Sequence, residues 1–356
     1  MHAESDVAEV VSQVEPVDEA WRSRAWERLD SLSKPPRSLG VLEELAARIA
    51  AVQRTERPVA HPASIVVMAG DHGVAAQNVT PYPQEVTVQM LTNFAAGGAA
   101  INQLASHAGA SLRIVDVGVA ADTRGIPGVE QRKVRAGTFD ISQGPAMSRE
   151  EAAMAVMAGV EVAFQMVDSK TRILGTGEMG IGNTTAAAAL ASTFIGVPPA
   201  DVVGRGTGLD DRGLAHKVEV VSQALAVNHV DPEDPLGALA AVGGLEIAGM
   251  AGLVLGAAAR KTCVVADGFI SGVAALAAVR MAPQAAGYLV PSHLSAERGH
   301  RVVLEGLGLR PVLELDMRLG EGTGAAMAIS ILDAACRVMT GMATFQEAGV
   351  SAGDQK

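Results

Sequence analysis

Residues 174–185 read Leu-Gly-Thr-Gly-Glu-Met-Gly-Ile-Gly-Asn-Thr-Thr, a run of glycines with one acid, Glu178, in its middle. A short β-type run at residues 171–174 leads into it, and the strongly helix-forming residues 186–190 follow. This order predicts a turn that joins the end of a buried strand to the start of a helix. A chain built on such turns is predicted to have an α/β fold.

The same stretch is a candidate anion site. The first amides of a helix have no partner within the helix, and glycines let a phosphate approach the backbone closely. A capped turn without any ligand is the alternative. No lysine follows as in a P-loop, and no ribose-binding acid stands where a dinucleotide site has one. Glu178 favours a functional site, because a carboxylate beside a phosphate pocket is otherwise unfavourable.

Composition limits the kinds of partner. The chain has 356 residues, of which 49% are hydrophobic, and carries a formal net charge of −11. Such a chain can bury one large core or two modest ones, and its acidity argues against nucleic acid or an anionic membrane as a partner. Cys263 and Cys336 are expected to be buried thiols. The amino terminus lacks an apolar signal core, and the apolar run 247–259 is too short to cross a bilayer, so a cytoplasmic protein is expected.

One unit recurs along the chain: an apolar strand, an acid or histidine among glycines, then a helix. Six such units predict an open parallel sheet with crossover helices, whereas a TIM barrel needs eight. Ligands of these sheets bind beyond the carboxyl ends of the strands, so the polar clusters are expected in one cleft. The predicted strands are residues 64–69, 112–117, 171–174, 262–266, 287–290 and 312–317.

Helices are predicted wherever apolar residues recur at helical spacing. Ser148 with Glu151 forms a capping box at the start of one of them. The first ten residues are expected to be frayed. The predicted helices cover residues 18–32, 38–53, 83–105 with a break at Gly97-Gly98, 147–167, 211–227 and 323–339.

The last unit, residues 318–324, places Glu321 in a second glycine turn. Desolvation there would raise its pKa, which suits a general base, and Glu178 is expected to face it. Alternatively, Glu321 accepts amide hydrogen bonds from its own turn. Asp71-His72 and His293 with Ser295 either bind substrate or tie loops together, and no metal-ligand or serine-hydrolase motif is present. The residues alone indicate an α/β enzyme that handles a small phosphorylated ligand with glutamate base catalysis.

Five motifs give the chain a strong resemblance to the nicotinate-nucleotide:dimethylbenzimidazole phosphoribosyltransferase family, which makes the lower-ligand nucleotide of cobalamin. The resemblance runs from about residue 29 to residue 350. The motifs are GDHGV at 70–74, YPQEVT at 82–87, GTGEMGIGNTT at 175–185, GRGTGLDD at 204–211 and RLGEGTG at 318–324.

The resemblance implies a Rossmann-like large domain at residues 60–310 that holds the parallel sheet. Residues 1–59 and 311–356 would form a small helical domain, with the strand at 312–317 and the Glu321 loop bordering the active site. It further implies a homodimer that acts on small molecules with no cofactor and no metal. The absence of nucleic-acid and membrane partners is expected from the net charge and composition.

By the same resemblance, Glu321 is the general base that removes the benzimidazole proton while a ring nitrogen attacks C1′ of nicotinate mononucleotide. Inversion would give α-ribazole 5′-phosphate and release nicotinate. Glu178 would lie near the reacting sugar and partly replace the base, and Gln89 would lie in the benzimidazole pocket. The residues implied to bind the phosphate are Gly180, Asn183, Thr184 and Lys217, and those implied to line the nucleotide are Gly206, Ser295, Leu319 and Gly320.

Two alternatives remain open in the sequence. A sister transferase would use another aromatic acceptor, such as adenine or a phenol, because motifs do not fix pocket shape. A non-catalytic nucleotide-binding subunit would keep the fold without turnover. Arg37, Val41 and Arg298 depart from the family pattern, and they put in doubt only the shapes of two loops. Without the resemblance, Lys217 would be assigned to a solvated surface.

Overall fold

A six-stranded, wholly parallel sheet forms the centre of the computed structural model, which describes residues 3–351. The strands lie in the order β3-β2-β1-β4-β5-β6, so the chain changes direction across the sheet between β1 and β4. In doubly wound sheets that reversal is where ligands bind. The predicted α/β fold is confirmed. The strands are β1 (Ala63–Gly70), β2 (Ala110–Gly118), β3 (Val129–Gln131), β4 (Ile173–Met179), β5 (Cys263–Ala266) and β6 (Leu289–Pro291).

Five of the six predicted strands lie in this sheet, and the sixth prediction is wrong. Residues 312–317 form only the short β8 (Leu313–Glu314), which pairs with β7 (His293–Leu294) in a separate two-stranded sheet. Alternating apolar and polar residues there suit a strand with one exposed face. The sixth strand of the main sheet is β3, whose three residues are too few and too polar to give an apolar run.

The strand before the central glycines is longer than predicted. β4 continues to Met179, so Glu178 is a strand residue and not a turn residue. A Cβ on Gly177 would lie 2.6 Å from the carbonyl oxygen of Glu321, so the bare backbone of Gly177 lets the Glu321 loop pack directly on the strand. A Cβ on Gly175 would lie 3.2 Å from the Ala325 side chain, so Gly175 leaves room for α14.

Fifteen α-helices surround the sheets in the described part of the chain, and two short 3₁₀ turns, Gly73–Gln77 and Pro283–Tyr288, accompany them. The α-helices are α1 (Ala3–Ser12), α2 (Glu19–Ser31), α3 (Val41–Gln53), α4 (Val86–Ala96), α5 (Ala100–His107), α6 (Arg149–Asp168), α7 (Asn183–Ile195), α8 (Pro199–Val202), α9 (Asp211–Asn228), α10 (Pro235–Val242), α11 (Leu245–Ala259), α12 (Phe269–Met281), α13 (Gly299–Leu307), α14 (Thr323–Gly341) and α15 (Phe345–Ala348).

Most helix predictions are confirmed, including the break at Gly97 and the capping box at the start of α6. Ser148 accepts a hydrogen bond from the Glu151 amide at 3.2 Å, and the Glu151 carboxylate accepts one from the Ser148 amide at 2.8 Å. The prediction that the first ten residues are frayed is wrong for the described ones, because Ala3–Ser12 is helical. Residues 1 and 2 lie outside the described residues. α1 buries Val7 and Val10 as it packs on α6 and α11.

The apolar run 247–259 belongs to α11, a core helix that packs closely against α6. A Cβ on Gly252 would lie 1.8 Å from the carbonyl oxygen of Val156, so the two backbones touch. Among residues 3–351, α14 is the one helix long and apolar enough to cross a membrane, and half of its apolar window is buried inside the protein. Buried core helices commonly meet the same criterion, so α14 gives only weak evidence for a span.

The amino-terminal and carboxy-terminal segments meet on one side of the molecule. α2 and α3 pack together, α3 packs on α14, and Leu32 bridges to Thr344. α14 also packs on β4 and α5, which ties this group of helices to the sheet. The division into a large and a small domain at residues 60 and 310 stays a prediction.

Candidate active site

A cavity of about 670 Å³ opens at the carboxyl ends of β4 and β5, beside the point where the strand order reverses. α4, the Gly206 turn, the loop after β7 and the Glu321 loop complete its walls. Most of the predicted site residues line it: Glu178, Gly180, Asn183, Thr184, Gly206, Ser295, Leu319, Gly320 and Glu321.

Two predicted residues are not in that lining. Lys217 is buried directly behind the wall, and its Nζ donates a hydrogen bond to Thr184 Oγ1 at 2.6 Å. Gln89 is exposed on α4, where Val86 and Met90 face the cavity instead. The spacing of apolar residues correctly predicted that Gln89 lies on a helix. It did not predict which face of that helix meets the cavity.

Glu178 is held near the end of β4, where Asn183 Nδ2 donates a hydrogen bond to its Oε2. Burial raises the pKa of Glu178 to about 8, and the negative charge of Asp267 acts in the same direction. Most of this carboxyl group is therefore protonated near neutral pH. Gly320 allows the Glu321 loop to lie against it, because a Cβ there would be 2.1 Å from Glu178 Oε1.

Glu321 occupies the loop before α14 with a positive φ of 62°. Burial raises the pKa of this carboxyl group, and only the Ile101 amide at the start of α5 opposes the shift. In the part of the chain that the structure describes, the buried Oε2 of Glu321 has no hydrogen-bond partner. The alternative in which Glu321 accepts the amide bonds of its own turn is not what the structure shows, since the Gly322 amide donates to Asp267.

Asp267 is a buried acid at the end of one of the recurring strand units. No functional role was assigned to it from the sequence. Its Oδ2 accepts from the Gly322 amide at 3.1 Å and its Oδ1 from the Ala325 amide at 2.9 Å. Burial raises the pKa of Asp267 to about 7, although these amides act in the opposite direction. The signal in the sequence was its place at the end of β5 before a glycine.

Lys217 and the Gly206 turn form the cationic end of the cavity. A Cβ on Gly206 would lie 3.3 Å from both Lys217 Nζ and Thr184 Oγ1, so only glycine leaves this approach open. Burial lowers the pKa of Lys217 to about 8, and the Glu297 carboxylate opposes that shift. The surface alternative for Lys217 is wrong, because just 1% of it is exposed.

Glu297 also lines the cavity, and the motifs did not single it out. Burial raises the pKa of Glu297, whereas Lys217 and Arg318 hold it down. Its Oε2 is buried and has no hydrogen-bond partner among residues 3–351. Only the fold brings this acid from the loop after β7 to a lysine on α9.

Asp71 and His72 tie loops together. Asp71 Oδ2 accepts from the Ala120 amide at 2.8 Å, and His72 Nε2 lies 2.7 Å from Glu246 Oε1 in a fully buried pair. His293 lines the cavity with Ser295, and its Nδ1 lies 2.8 Å from Ser292 Oγ. Burial lowers the pKa of His293, so its ring is neutral near neutral pH.

Within residues 3–351, no three histidine, cysteine, aspartate or glutamate side chains converge as metal ligands. Cys263 and Cys336 are both buried and free, as predicted.

The fold and the cavity together define an α/β enzyme that binds a small phosphorylated ligand at the reversal of a parallel sheet. A phosphoribosyltransferase family model matches residues 14–350. The chain belongs to this phosphoribosyltransferase family.

Relatives of the chain share nearly its whole length. A protein of Chloroflexus aggregans named nicotinate-nucleotide-dimethylbenzimidazole phosphoribosyltransferase is 52% identical over 97% of this chain and 98% of its own length. A Geobacter sulfurreducens protein of the same name is 48% identical over 98% of this chain and 99% of its own. The crystal structure of the Thermus thermophilus protein of that name matches with a TM-score of 0.89 and 48% identity, covering 94% of this chain and all of the other.

Proposed function

We propose that the protein transfers the phosphoribosyl group of nicotinate mononucleotide to 5,6-dimethylbenzimidazole, forming α-ribazole 5′-phosphate and nicotinate. The observation that carries the proposal is the buried carboxylate of Glu321, which lines the cavity with one oxygen unpartnered. The names of relatives about half identical over nearly the whole chain support the choice of substrates.

Lys217, Thr184 and the Gly206 turn hold the 5′-phosphate. The lysine supplies a positive charge, and the amides at the start of α7 point toward the same place. Asn183 and Gly180 belong to the turn that precedes and opens this helix. This end of the cavity fixes the ribose, so that C1′ lies toward the two glutamates.

At the other end, Glu321 accepts the N–H proton of the benzimidazole while the second ring nitrogen attacks C1′. The bond from C1′ to the pyridinium nitrogen breaks, its electron pair returns to the ring, and nicotinate leaves without a positive ring charge. Attack from the face opposite the leaving group converts the β-nucleotide into an α-nucleotide. A raised pKa makes Glu321 a better proton acceptor near neutral pH.

Glu178 contributes differently because its pKa is about 8. Near neutral pH it is mostly protonated and holds Asn183 through their hydrogen bond. Above that pH it becomes an anion beside the reacting sugar, where it can accept the proton in place of Glu321. Its role as a partial substitute for the base is therefore expected to grow with pH.

The acceptor end of the cavity is apolar, with walls from Val86, Met90, Ile181, Phe269 and Ile270. Such walls suit the flat, methylated face of 5,6-dimethylbenzimidazole better than the more polar edge of adenine. The resemblance implied that Gln89 lies in the benzimidazole pocket; Gln89 is next to Met90 on α4, but its side chain is exposed and is not part of the cavity lining. A homodimer in the cytoplasm is part of the same proposal.

Acceptor-dependent release of nicotinate tests the function. The purified protein is incubated with nicotinate mononucleotide, with and without 5,6-dimethylbenzimidazole, and nicotinate is quantified by chromatography. We expect release only when the acceptor is present. Release with adenine or a phenol alone would indicate a sister transferase, and no release with any acceptor would favour a non-catalytic binding subunit.

A further inference from the structure

We propose that Asp267 is a positioning residue for Glu321: it occupies the amides at the start of α14 and so keeps the Glu321 carboxylate free for the acceptor. The inference rests on the proposed role of Glu321 as the general base. Asp267 follows β5, away from Glu321 in sequence, and only 1% of it is exposed.

Both oxygens of the Asp267 carboxylate are used at the start of α14. Oδ2 accepts from the Gly322 amide at 3.1 Å, and Oδ1 accepts from the Ala325 amide at 2.9 Å. A Cβ on Gly324 would lie 2.9 Å from Oδ1, so the third residue of this turn also lies against the carboxylate. A side chain from another element therefore caps α14.

The amides of a first helical turn attract the nearest available anion. Glu321 directly precedes Gly322, the N-cap residue of α14, and an acid at this place can turn back onto the amides that follow it. The structure shows the opposite distribution. Asp267 holds the amides at the start of α14, whereas Glu321 accepts from the Ile101 amide at the start of α5, and within residues 3–351 its buried Oε2 has no partner.

Asp267 is itself fixed by neighbouring elements. Its amide donates to Thr176 Oγ1 on β4 at 3.2 Å, and its carbonyl oxygen accepts from Ser292 Oγ at 2.8 Å. Ser292 Oγ also lies 2.8 Å from His293 Nδ1. Because β4, β5 and the β6–β7 connection hold Asp267, the carboxylate cannot easily leave the helix start.

The charges and amides around Glu321 fix the sign of the expected change. The acids of this region are Glu178 on β4, Asp267 after β5, Glu246 on α11 and Glu297 after β7. Arg318 precedes the loop, Lys217 lies beside Glu297, and the buried His293 ring is neutral. Without Asp267, the amides of Gly322 and Ala325 would be free to donate hydrogen bonds to Glu321. Hydrogen bonds to the Glu321 carboxylate stabilise its anion, lower its pKa and weaken it as a base.

The test titrates Glu321 directly in protein labelled with ¹³C at the glutamate carboxyl groups. The Glu321 signal is assigned by its loss in Glu321→Gln, and Asp267→Ala and Asp267→Asn are compared with the unmodified protein. Asp116→Asn is the matched control, because Asp116 is another fully buried acid on a strand, where it accepts from the Val119 amide at 2.8 Å.

We expect the pKa of Glu321 to fall by about one unit or more in Asp267→Ala and by less in Asp267→Asn. The same variants should lose about tenfold or more in kcat, with KM for nicotinate mononucleotide nearly unchanged, and the acid limb of the pH profile should move to lower pH. Asp116→Asn should leave the titration and the profile in place.

An unchanged Glu321 titration in either folded Asp267 variant would overturn the proposal, even if activity fell. If Asp267→Ala does not fold, the isosteric Asp267→Asn decides the question in the same way. The titration does not depend on turnover. If the protein had no transferase activity, the proposed function would be rejected, but the titration would still show whether Asp267 controls the pKa of Glu321.

Discussion

At the residue scale, Glu178 and Glu321 share a cavity but differ in their partners. The Glu178 carboxyl accepts a hydrogen bond from the Asn183 side chain, whereas Glu321 accepts one from the Ile101 amide and, among the described residues, its Oε2 has no partner. Together with the pKa of about 8 for Glu178, this difference supports the proposed role of Glu321 as the base at neutral pH. It also predicts how the remaining activity behaves when Glu321 is replaced.

Glu321→Gln is expected to lower kcat near neutral pH by about a hundredfold or more, because the amide cannot accept the acceptor's proton. The residual rate should rise as pH increases through about 8, where Glu178 loses its proton. Steady-state kinetics across this range measure it. Glu314→Gln, at an exposed acid on β8, is the matched control. A residual rate that stays flat with pH would exclude Glu178 as the substitute.

Lys217→Ala should raise KM for nicotinate mononucleotide by about tenfold to a hundredfold, because a charged hydrogen bond to the phosphate is lost. In the unmodified protein, kcat/KM should fall as pH rises through about 8, where the Lys217 ammonium group is deprotonated. Inorganic phosphate should inhibit the unmodified protein by competing with the nucleotide, and this inhibition should be absent in Lys217→Ala. Equal KM values in the two proteins would place the phosphate elsewhere.

At the scale of elements, the Glu321 loop approaches β4 only because glycines leave room for it. Gly320 has a φ of +83°, and a Cβ there would lie 2.1 Å from Glu178 Oε1. Gly97 has a φ of +80° at the end of α4, and a Cβ there would meet nothing within 4 Å. A residue with a Cβ would be strained at either position because φ is positive. Only at Gly320 would that Cβ also collide with Glu178.

Gly320→Ala and Gly97→Ala should each lower the free energy of unfolding by about 1–2 kcal/mol, because alanine is strained at positive φ. Only Gly320→Ala should abolish transfer, since its methyl group displaces Glu178 or the loop. Urea unfolding and nicotinate release measure the two effects. Full activity in Gly320→Ala would show that the close approach of loop and strand is dispensable.

The elements of the sheet were predictable where the sequence has long apolar runs, as in β1 and β2. β3 was not predictable, because a three-residue edge strand has no periodicity of its own and depends on pairing with β2. The motif glycines identified Glu178 and Glu321 as neighbours of a cavity. Asp267 and Glu297 were missed as site residues because their contacts join segments far apart in sequence, which local patterns do not record.

At the scale of the whole molecule, large apolar side chains are exposed near the mouth of the cavity. Leu319 is 58% exposed, Leu315 is 52% exposed and Tyr82 is 50% exposed. Leu319 and Tyr82 line the cavity, and Leu315 lies four residues before Leu319. Leu315 does not line the cavity, and exposed apolar side chains outside a ligand site can belong to a protein interface, so Leu315 is the position chosen to test the proposed homodimer.

Leu315→Asp should weaken that dimer, because a charge placed in an apolar interface loses its hydration. Light scattering over a dilution series should show that the Leu315→Asp dimer separates into monomers at a higher protein concentration than the unmodified dimer does. Met154→Asp, at a 44% exposed residue of α6, is the control. A dimer of unchanged stability in Leu315→Asp would place the interface elsewhere.

The central claim is phosphoribosyl transfer with inversion at C1′, carried by a glutamate base. The most direct measurement follows the anomeric proton of the ribose by ¹H NMR while the protein acts on nicotinate mononucleotide and 5,6-dimethylbenzimidazole. We predict loss of the β-nucleotide signal and equal growth of an α-nucleotide signal and free nicotinate, with Glu321→Gln strongly slowed. A β-configured product, or an equal rate in Glu321→Gln, would contradict the claim.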